Sequence, residues 1–401
     1  MTGAIIITLC ALLLLSYVFD ITASKSKLPS VILLLILGWA IRQLTNTLHV
    51  AIPNLSPVLP LLGTIGLILI VLEGALELEF NRARLPLIIK FSLIAILSIL
   101  TLSLTISTAF YYFTHTDFRI CLINAIPFAI ISSAIAIPSS KNLSAKNREF
   151  VIYESSMSDI FGVILFNFLL YNDNFGLNVV SSFILQIIVI ILLSFLVTFG
   201  LLLLLRQLKH QVKYTPIVLF IILVYSISKE LHLPALLFIL ALGLILANIE
   251  KLAHFSIIQK LQPEILKVEV NRLKELTIEI TFLIRSLFFL LFGFLIETAK
   301  LVEIRTITWA LCIFVMIYLI RWGLLKIFNL PNHPLLYIAP RGLITILLFL
   351  SIPGIYALPL VSDSMITQII ILSALFMVMG MFGKKSSNLT DSKKAASPSN
   401  Q

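Results

Sequence analysis

Charged residues are scarce in this sequence: they make up 12% of its 401 residues, while hydrophobic residues make up 59%. Soluble domains carry about 25% charged residues. The hydrophobic residues also form long runs, such as 187–205, and a run of about 18 or more apolar residues is long enough to cross a bilayer. The composition therefore excludes an ordinary soluble protein and predicts a polytopic membrane protein.

The sequence also has few residues of the kinds that hold metals or cofactors. Its three cysteines, Cys10, Cys121 and Cys312, lie in apolar segments without the spacing of metal ligands or disulfides. The six histidines fall in loops or at the edges of apolar runs. No nucleotide-binding loop, dinucleotide fingerprint or nucleophile elbow is present. We therefore expect neither enzyme activity nor a bound cofactor.

The apolar runs predict an all-α fold with about thirteen membrane-spanning helices. The second and eighth runs are the shortest, and the boundaries are set by the flanking polar residues. The expected spans cover residues 3–19, 28–41, 57–76, 86–110, 119–138, 149–170, 179–205, 214–228, 233–249, 277–296, 302–325, 334–352 and 364–383.

Lysine and arginine are distributed unevenly between the loops on the two sides of these spans. Of the 29 basic residues, 20 lie in loops on the side of the C-terminus and 5 on the other side. Basic loops remain in the cytoplasm, so the pattern predicts an N-terminus outside and a C-terminus inside a plasma (bacterial inner) membrane. This topology accounts for the net charge of +10, and the basic loops are also attracted to anionic lipids. We expect no nucleic-acid partner.

Two segments outside the spans have sequence patterns that predict their structure. In the longest loop, residues 250–276, a proline starts a stretch with apolar residues at helical spacing, which predicts an amphipathic helix lying on the bilayer surface. The C-terminal residues 384–401 are polar and basic, and we expect them to be a disordered cytoplasmic tail.

Spans five and twelve are interrupted by proline and glycine. Span five carries Pro127 and Pro138 on either side of the paired hydroxyls Ser132 and Ser133, and span twelve contains Pro340-Arg341-Gly342. Such breaks free backbone groups that only protein or water can satisfy. Interrupted spans at matching positions indicate a secondary transporter built from inverted repeats, with spans 1–6 repeated as 8–13. Ordinary proline kinks are the alternative.

Span six contains two acidic residues, Glu154 and Asp159. A charge at the centre of a membrane helix costs about 2.5–3.5 kcal/mol on insertion scales, so each must be paired, protonated or functional. Five residues turn a helix by about 500°, which directs the two side chains about 140° apart. Each therefore needs its own neighbour. For Glu154 the expected partner is Arg321 of span eleven, in a structural ion pair.

Asp159 is the candidate for ion binding. A carboxyl group away from bulk water can hold a proton near neutrality. Its deprotonated form, surrounded by hydroxyl and carbonyl oxygens, is a site for a hard cation such as Na⁺, and Ser155 lies on the same helical face. Proton and cation would then compete for one carboxylate. A permanently protonated aspartic acid, hydrogen-bonded within the bundle, is the alternative.

Three further charged residues lie in or beside the spans. Arg341, at the break of span twelve, is expected to balance the negative ends of half-helices. Glu73, near the end of span three, either reaches the membrane interface or forms part of a negative funnel that attracts cations. The sequence suggests no role for Arg285 in span ten.

The segment from Glu154 to Asp159 resembles the E-x-x-x-N-D motif of sodium/proton exchangers in the monovalent cation/proton antiporter superfamily. The stretch that begins Ile131-Ser-Ser-Ala resembles their unwound helix. Arg321-Trp-Gly resembles the context of the arginine that pairs with the motif's glutamate, and Arg341-Gly-Leu-Ile resembles their second crossing helix. The resemblance covers nearly the whole chain, but Ser158 replaces the family asparagine and Ser133 replaces an aspartate.

The resemblance implies a homodimer in which a core domain slides against a dimerisation domain as an elevator. The cation and proton site would comprise Asp159, with Ser132, Ser133, Ser155 and Ser158 as hydroxyl ligands. A single aspartate with an arginine-bound glutamate implies electroneutral exchange. The implied domains are dimerisation helices at 1–85, the first core repeat at 86–170, a linker helix at 171–213, dimerisation helices at 214–301 and the second core repeat at 302–383.

The identity of the transported ion stays open at this stage. Na⁺ is the expected cation, and Li⁺ or K⁺ are alternatives on the same scaffold. A different class is also open: an anion or organic-solute carrier of related crossed-helix fold, or a sensor that does not transport, because the N-termini of half-helices favour anions.

Overall fold

The computed structural model describes most of the chain that was expected to lie in the membrane. Within the described residues every regular element is a helix, which confirms the all-α prediction. The predicted tail at 384–401 and most of the loop before residue 263 lie outside them. The described residues are 10–19, 21–22, 30–49, 55, 57–78, 85–140, 143–172, 177–207, 214–231, 233, 235–251, 263–296 and 303–382.

The helices follow the order of the apolar runs. Each predicted span overlaps a helix or, for spans five and twelve, helical pieces beside a break, and residues 3–9 of the first span lie outside the described residues. Eight helical stretches of the described chain are long and apolar enough to cross a membrane. The helices are α1 (Cys10–Phe19), α2 (Ser30–Thr47), α3 (Val58–Glu77), α4 (Leu85–Thr114), α5 (Phe118–Ala129), α6 (Ser133–Ser139), α7 (Ala145–Tyr171), α8 (Leu177–Gln207), α9 (Tyr214–Glu230), α10 (Ala235–Ala247), α11 (Pro263–Leu295), α12 (Ile304–Ile327), α13 (Asn332–Leu335), α14 (Leu343–Leu350), a 3₁₀ turn (Gly354–Tyr356) and α15 (Asp363–Phe382).

The helices pack in two groups that meet along α3 and α7. In the first group α11 packs against α2 and α3, and α10 packs against α3 and α8. In the second group α4 packs against α5, α7 and α12, and α12 packs against α15. The short helices α6 and α14 contact α3 as well as α7, so the broken spans lie where the two groups meet.

The amphipathic segment before span ten differs from its prediction. It is helical, but it does not form a separate helix on the bilayer surface, because α11 runs without a break from Pro263 to Leu295. No proline or glycine follows Pro263 until Gly293, so nothing in the sequence ends the helix at the membrane boundary. Its apolar positions Leu266, Val270 and Leu273 are buried inside the protein.

The two broken spans cross each other at their unwound segments, as expected for crossed, interrupted helices. The chain is extended at Ile130 and Ser132, between α5 and α6. There the backbone N–H of Ser132 donates to the carbonyl of Pro340 in the second break, at 2.9 Å. Each break therefore supplies a hydrogen-bond partner for the other, which satisfies backbone groups that lipid cannot.

Gly342 makes this close crossing possible. A Cβ atom at position 342 would lie 2.8 Å from Ser132 Oγ and 2.8 Å from Ile135 Cδ1. We expect Gly342→Ala to lower the free energy of unfolding by about 1–3 kcal/mol, the usual cost of overpacking. The thermal unfolding midpoint in detergent measures this effect. Gly200→Ala is the matched control, because a Cβ there meets no atom within 4 Å, and an equal loss in both variants would contradict the explanation.

Candidate functional site

Helix α7 carries both predicted carboxylates, and both are buried: Glu154 is 2% exposed and Asp159 is 3% exposed. The two side chains face different neighbours. Glu154 faces α12, whereas Asp159 faces the start of α6. The angle of about 140° that an α-helix imposes over five residues accounts for this separation.

Arg321 of α12 forms a two-pronged ion pair with Glu154. Its Nη1 donates to Oε1 at 2.8 Å and its Nη2 donates to Oε2 at 3.0 Å. The guanidinium, which is 4% exposed, also donates to the carbonyls of Leu335 and Ile338 at 2.8 and 2.9 Å. Because charge-assisted bidentate pairs are geometrically specific, Arg321 fixes α7 against α12 and against the segment that precedes the second break.

Arg341 lies at the crossing, between the two broken spans. Its Nε donates to the carbonyl of Phe128 at 2.7 Å, and Nη2 lies 3.5 Å from the carbonyl of Ala129. These are the last residues of α5, whose terminal carbonyls carry partial negative charge. Nη1 donates to Ala339 within its own segment, at 2.8 Å. The structure thus places Arg341 at the negative end of a half-helix, the position suggested by the sequence.

Asp159 and its neighbour Ser158 both reach the first break. The Ser158 hydroxyl accepts from the backbone N–H of Ile131 at 3.0 Å, and Asp159 Oδ2 accepts from the N–H of Ser133 at 3.3 Å. The Ser133 hydroxyl also interacts with this carboxyl group. The other oxygen, Asp159 Oδ1, has no hydrogen-bond partner among the residues that the structure describes. Nearby, Gly162 faces the side chain of Ile130, with which any added Cβ would collide.

A small cavity borders Asp159 between α7, α6, α3 and α10. Its volume is about 10 Å³, which is close to the room that one water molecule needs. A single small ion therefore fits, with one carboxylate and at least one hydroxyl beside it. The lining residues are Ile70, Val71, Gly74, Ala75, Ser133, Ser156, Asp159, Ile160 and Leu240.

Some of the predicted hydroxyl ligands line this small cavity and others do not. Ser133 lines it, but Ser132 and Ser155 are not among its described lining residues. The Ser132 hydroxyl is directed towards Gly342, and the Ser155 hydroxyl donates to the carbonyl of Val151 at 2.7 Å. Ser156, which the sequence analysis missed, does line the cavity. Its spacing of three residues from Asp159, which shares a helical face, was the available signal.

Glu73 is half-buried on α3, close to this cavity through its neighbour Gly74. The guanidinium of Arg285 on α11 attracts the Glu73 carboxylate, and the hydroxyl of the neighbouring Thr281 donates to the carbonyl of Thr277 at 2.6 Å. Arg285 also reaches the carbonyl of Ala134 on α6, at 3.5 Å. Arg285 therefore connects the first group of helices to the second, beside the Asp159 cavity. No group of three or more potential metal ligands occurs in the described chain.

A larger cavity of about 300 Å³ lies at the end of the protein where α3 begins and α7 ends. Its lining includes the polar residues Thr64, Asn167, Tyr171, Tyr225 and Lys229. On α3 and α7 it reaches Leu67 and Val163, about one helical turn from the residues that line the Asp159 cavity. A thin apolar layer therefore separates the larger cavity from the carboxylate.

Comparison with known proteins supports both the fold and the family. The family model for the transmembrane sodium/hydrogen exchanger matches residues 9–384. A structure of the sodium proton antiporter MjNhaP1 from Methanocaldococcus jannaschii at pH 8 is 19% identical, covers 94% of this chain and 95% of its own, and has a TM-score of 0.65. An electron-microscopy structure of MjNhaP1 gives 17% identity, full coverage of both chains and a TM-score of 0.66. No curated protein matches the chain.

Proposed function

The chain belongs to the sodium/hydrogen exchanger family, and on this premise we propose that it exchanges Na⁺ for H⁺ across a membrane, with Asp159 carrying either ion. The observation that best supports this proposal is the environment of the Asp159 carboxyl group. It is buried beside a cavity for one small ion, and one of its oxygens has no hydrogen-bond partner among the described residues. A bound Na⁺ or a proton would complete that site.

Competition between the two ions follows from the chemistry of a single carboxylate. In its charged form Asp159, together with the Ser133 hydroxyl, offers the oxygen ligands that hard cations prefer. Protonation removes the negative charge, and with it most of the attraction for a cation. Each ion neutralises the same single charge, so the exchange is electroneutral. Glu154 takes no part, because Arg321 occupies both of its oxygens.

Access to Asp159 alternates, in this proposal, through an elevator movement. The core domain, formed by residues 86–170 and 302–383, slides against the dimerisation domain of residues 1–85 and 214–301, with residues 171–213 as the linker. The arrangement of α3 and α7 supports this, because both cavities lie along their contact and only an apolar layer separates them. A shift of α7 by about one turn along α3 would open the layer.

The proposed setting is a plasma (bacterial inner) membrane, with the N-terminus outside and the C-terminus in the cytoplasm. The distribution of basic residues supports this orientation. The larger cavity then opens outward, because α3 begins and α7 ends on that side. As a homodimer the protein would place its dimerisation helices at the interface between two copies, with lipid around the core domains.

Transport in proteoliposomes tests this function. With the membrane potential clamped at zero, an inward Na⁺ gradient should drive proton efflux, and raising the proton concentration should increase the Na⁺ concentration needed for half-maximal rate. The rate should not change when the potential is set to another value. Li⁺ and K⁺ gradients provide the comparison. Proton flux that responds to K⁺ alone, or flux that follows an anion, would favour the alternative functions.

A further inference from the structure

We propose that Lys229, in the wall of the larger cavity, repels cations and thereby weakens the binding of Na⁺ from the outer side of the membrane only. The protein then releases Na⁺ outward more readily than it binds it again from that side. This inference rests on the proposed function and on its orientation. It concerns the path to Asp159 and not the ligands of the ion.

The wall of the larger cavity carries a single formal charge among the described residues. Lys229 lines this cavity and is exposed, and the described lining includes no aspartate or glutamate. A cation that enters the cavity therefore meets a positive charge that no acid of the described wall balances. The polar residues that share the wall with Lys229 carry no formal charge, and they are Thr64, Asn167, Tyr171, Tyr225 and Ser351.

The acid next to Lys229 in the sequence has a different position. Glu230 follows Lys229 on α9, and successive residues of an α-helix are directed about 100° apart. The Glu230 carboxylate interacts with Tyr171, but Glu230 is not among the described residues that line the cavity. Substitutions at the two positions should therefore have unequal effects on a cation in the cavity.

The charge of Lys229 acts on one side of the protein. The larger cavity lies where α3 begins, and a thin apolar layer separates it from Asp159. Thr64 in its wall and Glu77 at the other end of α3 are about 20 Å apart along the helix. This is about twice the Debye length at 0.1 M salt. Ions that approach from the cytoplasm are therefore screened from Lys229.

Protons are repelled as well, and this gives the inference a distinctive dependence on outer pH. A positive charge lowers the local concentrations of Na⁺ and H⁺ by the same factor, because both ions carry one charge. Where few protons compete for Asp159, the half-maximal outer Na⁺ concentration rises by that factor. Where protons already occupy the site, the factor cancels, because both competitors are depleted equally. The effect of Lys229 should therefore be large at alkaline and small at acidic outer pH.

The groups around Lys229 do not disturb this comparison. The titratable side chains near it are Tyr171 of α7 and Tyr225 and Glu230 of α9. The described lining from α3, α10 and α14 adds none. Side chains of these types keep their charge between about pH 6 and pH 8.5, so measurements within that range report on the competition at Asp159.

The test measures the half-maximal Na⁺ concentration separately on each side, as uptake of radioactive Na⁺ into right-side-out and everted membrane vesicles that hold an outward-directed proton gradient. At low ionic strength and alkaline outer pH, Lys229→Gln should lower the outer value roughly twofold to fourfold, about the effect of a unit charge 5–10 Å away in water. The cytoplasmic value should not change. The difference should vanish at acidic outer pH and in about 1 M choline chloride, where the Debye length is about 3 Å.

Arg305→Gln is the matched control. Arg305 is exposed near the start of α12, on the same proposed side of the membrane, but it is not among the described residues that line the cavity. Loss of its charge should leave both values unchanged. A structural role is also distinguished: Lys229 lies in the last turn of α9, where a cation stabilises a helix, but loss of that stability would not change the outer value alone.

The unmodified protein provides a second measurement that needs no variant. Raising the ionic strength should lower its outer half-maximal Na⁺ concentration towards that of Lys229→Gln. An unchanged outer value in Lys229→Gln, an equal change on both sides, or an equal fall in Glu230→Gln would overturn the inference. Loss of Na⁺-driven proton exchange in the unmodified protein would instead contradict the proposed function itself.

Discussion

Asp159→Asn is expected to abolish Na⁺-driven proton flux in proteoliposomes. Asparagine keeps the size of the side chain but can neither bind a proton in the working range nor supply a negative charge. At an effective dielectric constant of about 20, a charge pair separated by 4 Å contributes about 4 kcal/mol, and its loss weakens cation binding by about a thousandfold. Because both ions are proposed to bind the same carboxylate, exchange should be lost in both directions.

Asp363→Asn provides the control for this change. Asp363 lies in the first turn of α15 and is exposed, so the same chemical substitution there should leave transport unchanged. The unfolding midpoint of Asp159→Asn should be no lower than that of the unmodified protein, because the substitution removes a buried charge. Normal exchange by Asp159→Asn would refute the assignment of the site.

Glu154→Gln is expected to destabilise the protein by about 3–5 kcal/mol, because it leaves the buried guanidinium of Arg321 without its counter-charge. The unfolding midpoint in detergent measures the loss. Replacing both residues, as in Glu154→Gln with Arg321→Gln, should recover part of the stability, since no unpaired charge then remains. The double-mutant cycle gives the coupling between the two side chains.

An exposed ion pair supplies the comparison for this prediction. Lys267 and Glu250 are 2.7 Å apart, but both side chains are about half exposed, and such pairs contribute at most about 1 kcal/mol. Glu250→Gln should therefore shift the midpoint far less than Glu154→Gln. If the two substitutions had equal effects, the buried pair would not be what holds α7 against α12.

Much of this architecture could be predicted because membrane helices are specified by long apolar runs. The breaks of spans five and twelve could be predicted for the same reason, since Pro127, Pro340 and Gly342 stand out against such runs. The contact of Arg321 with Glu154 could be anticipated because few charges are available within the spans, so each buried acid has few possible partners.

Other features depended on packing that sequence spacing does not determine. Residues three and four positions before Asp159 both lie on its face of the helix, so periodicity alone could not separate Ser156 from Ser155. The choice depends on where α3 lies. The position of Arg285 between Glu73 and Ala134 likewise depends on how α11 approaches α3 and α6. The continuity of α11 was missed because its charged first half was predicted to be a separate amphipathic helix on the bilayer surface, whereas it is the first part of one long helix.

The bond from Arg341 to the carbonyl of Phe128 joins residues 213 positions apart in the chain, and this separation has a consequence for biosynthesis. The C-terminal carbonyls of α5 and the N–H of Ser132 enter the membrane before their hydrogen-bond partners, Arg341 and Pro340, have been synthesised. The proposed ion site is therefore completed late, only after Arg341 of the 401-residue chain has been synthesised. A chain terminated before Pro340 would contain Asp159 but not the crossing that shapes its surroundings.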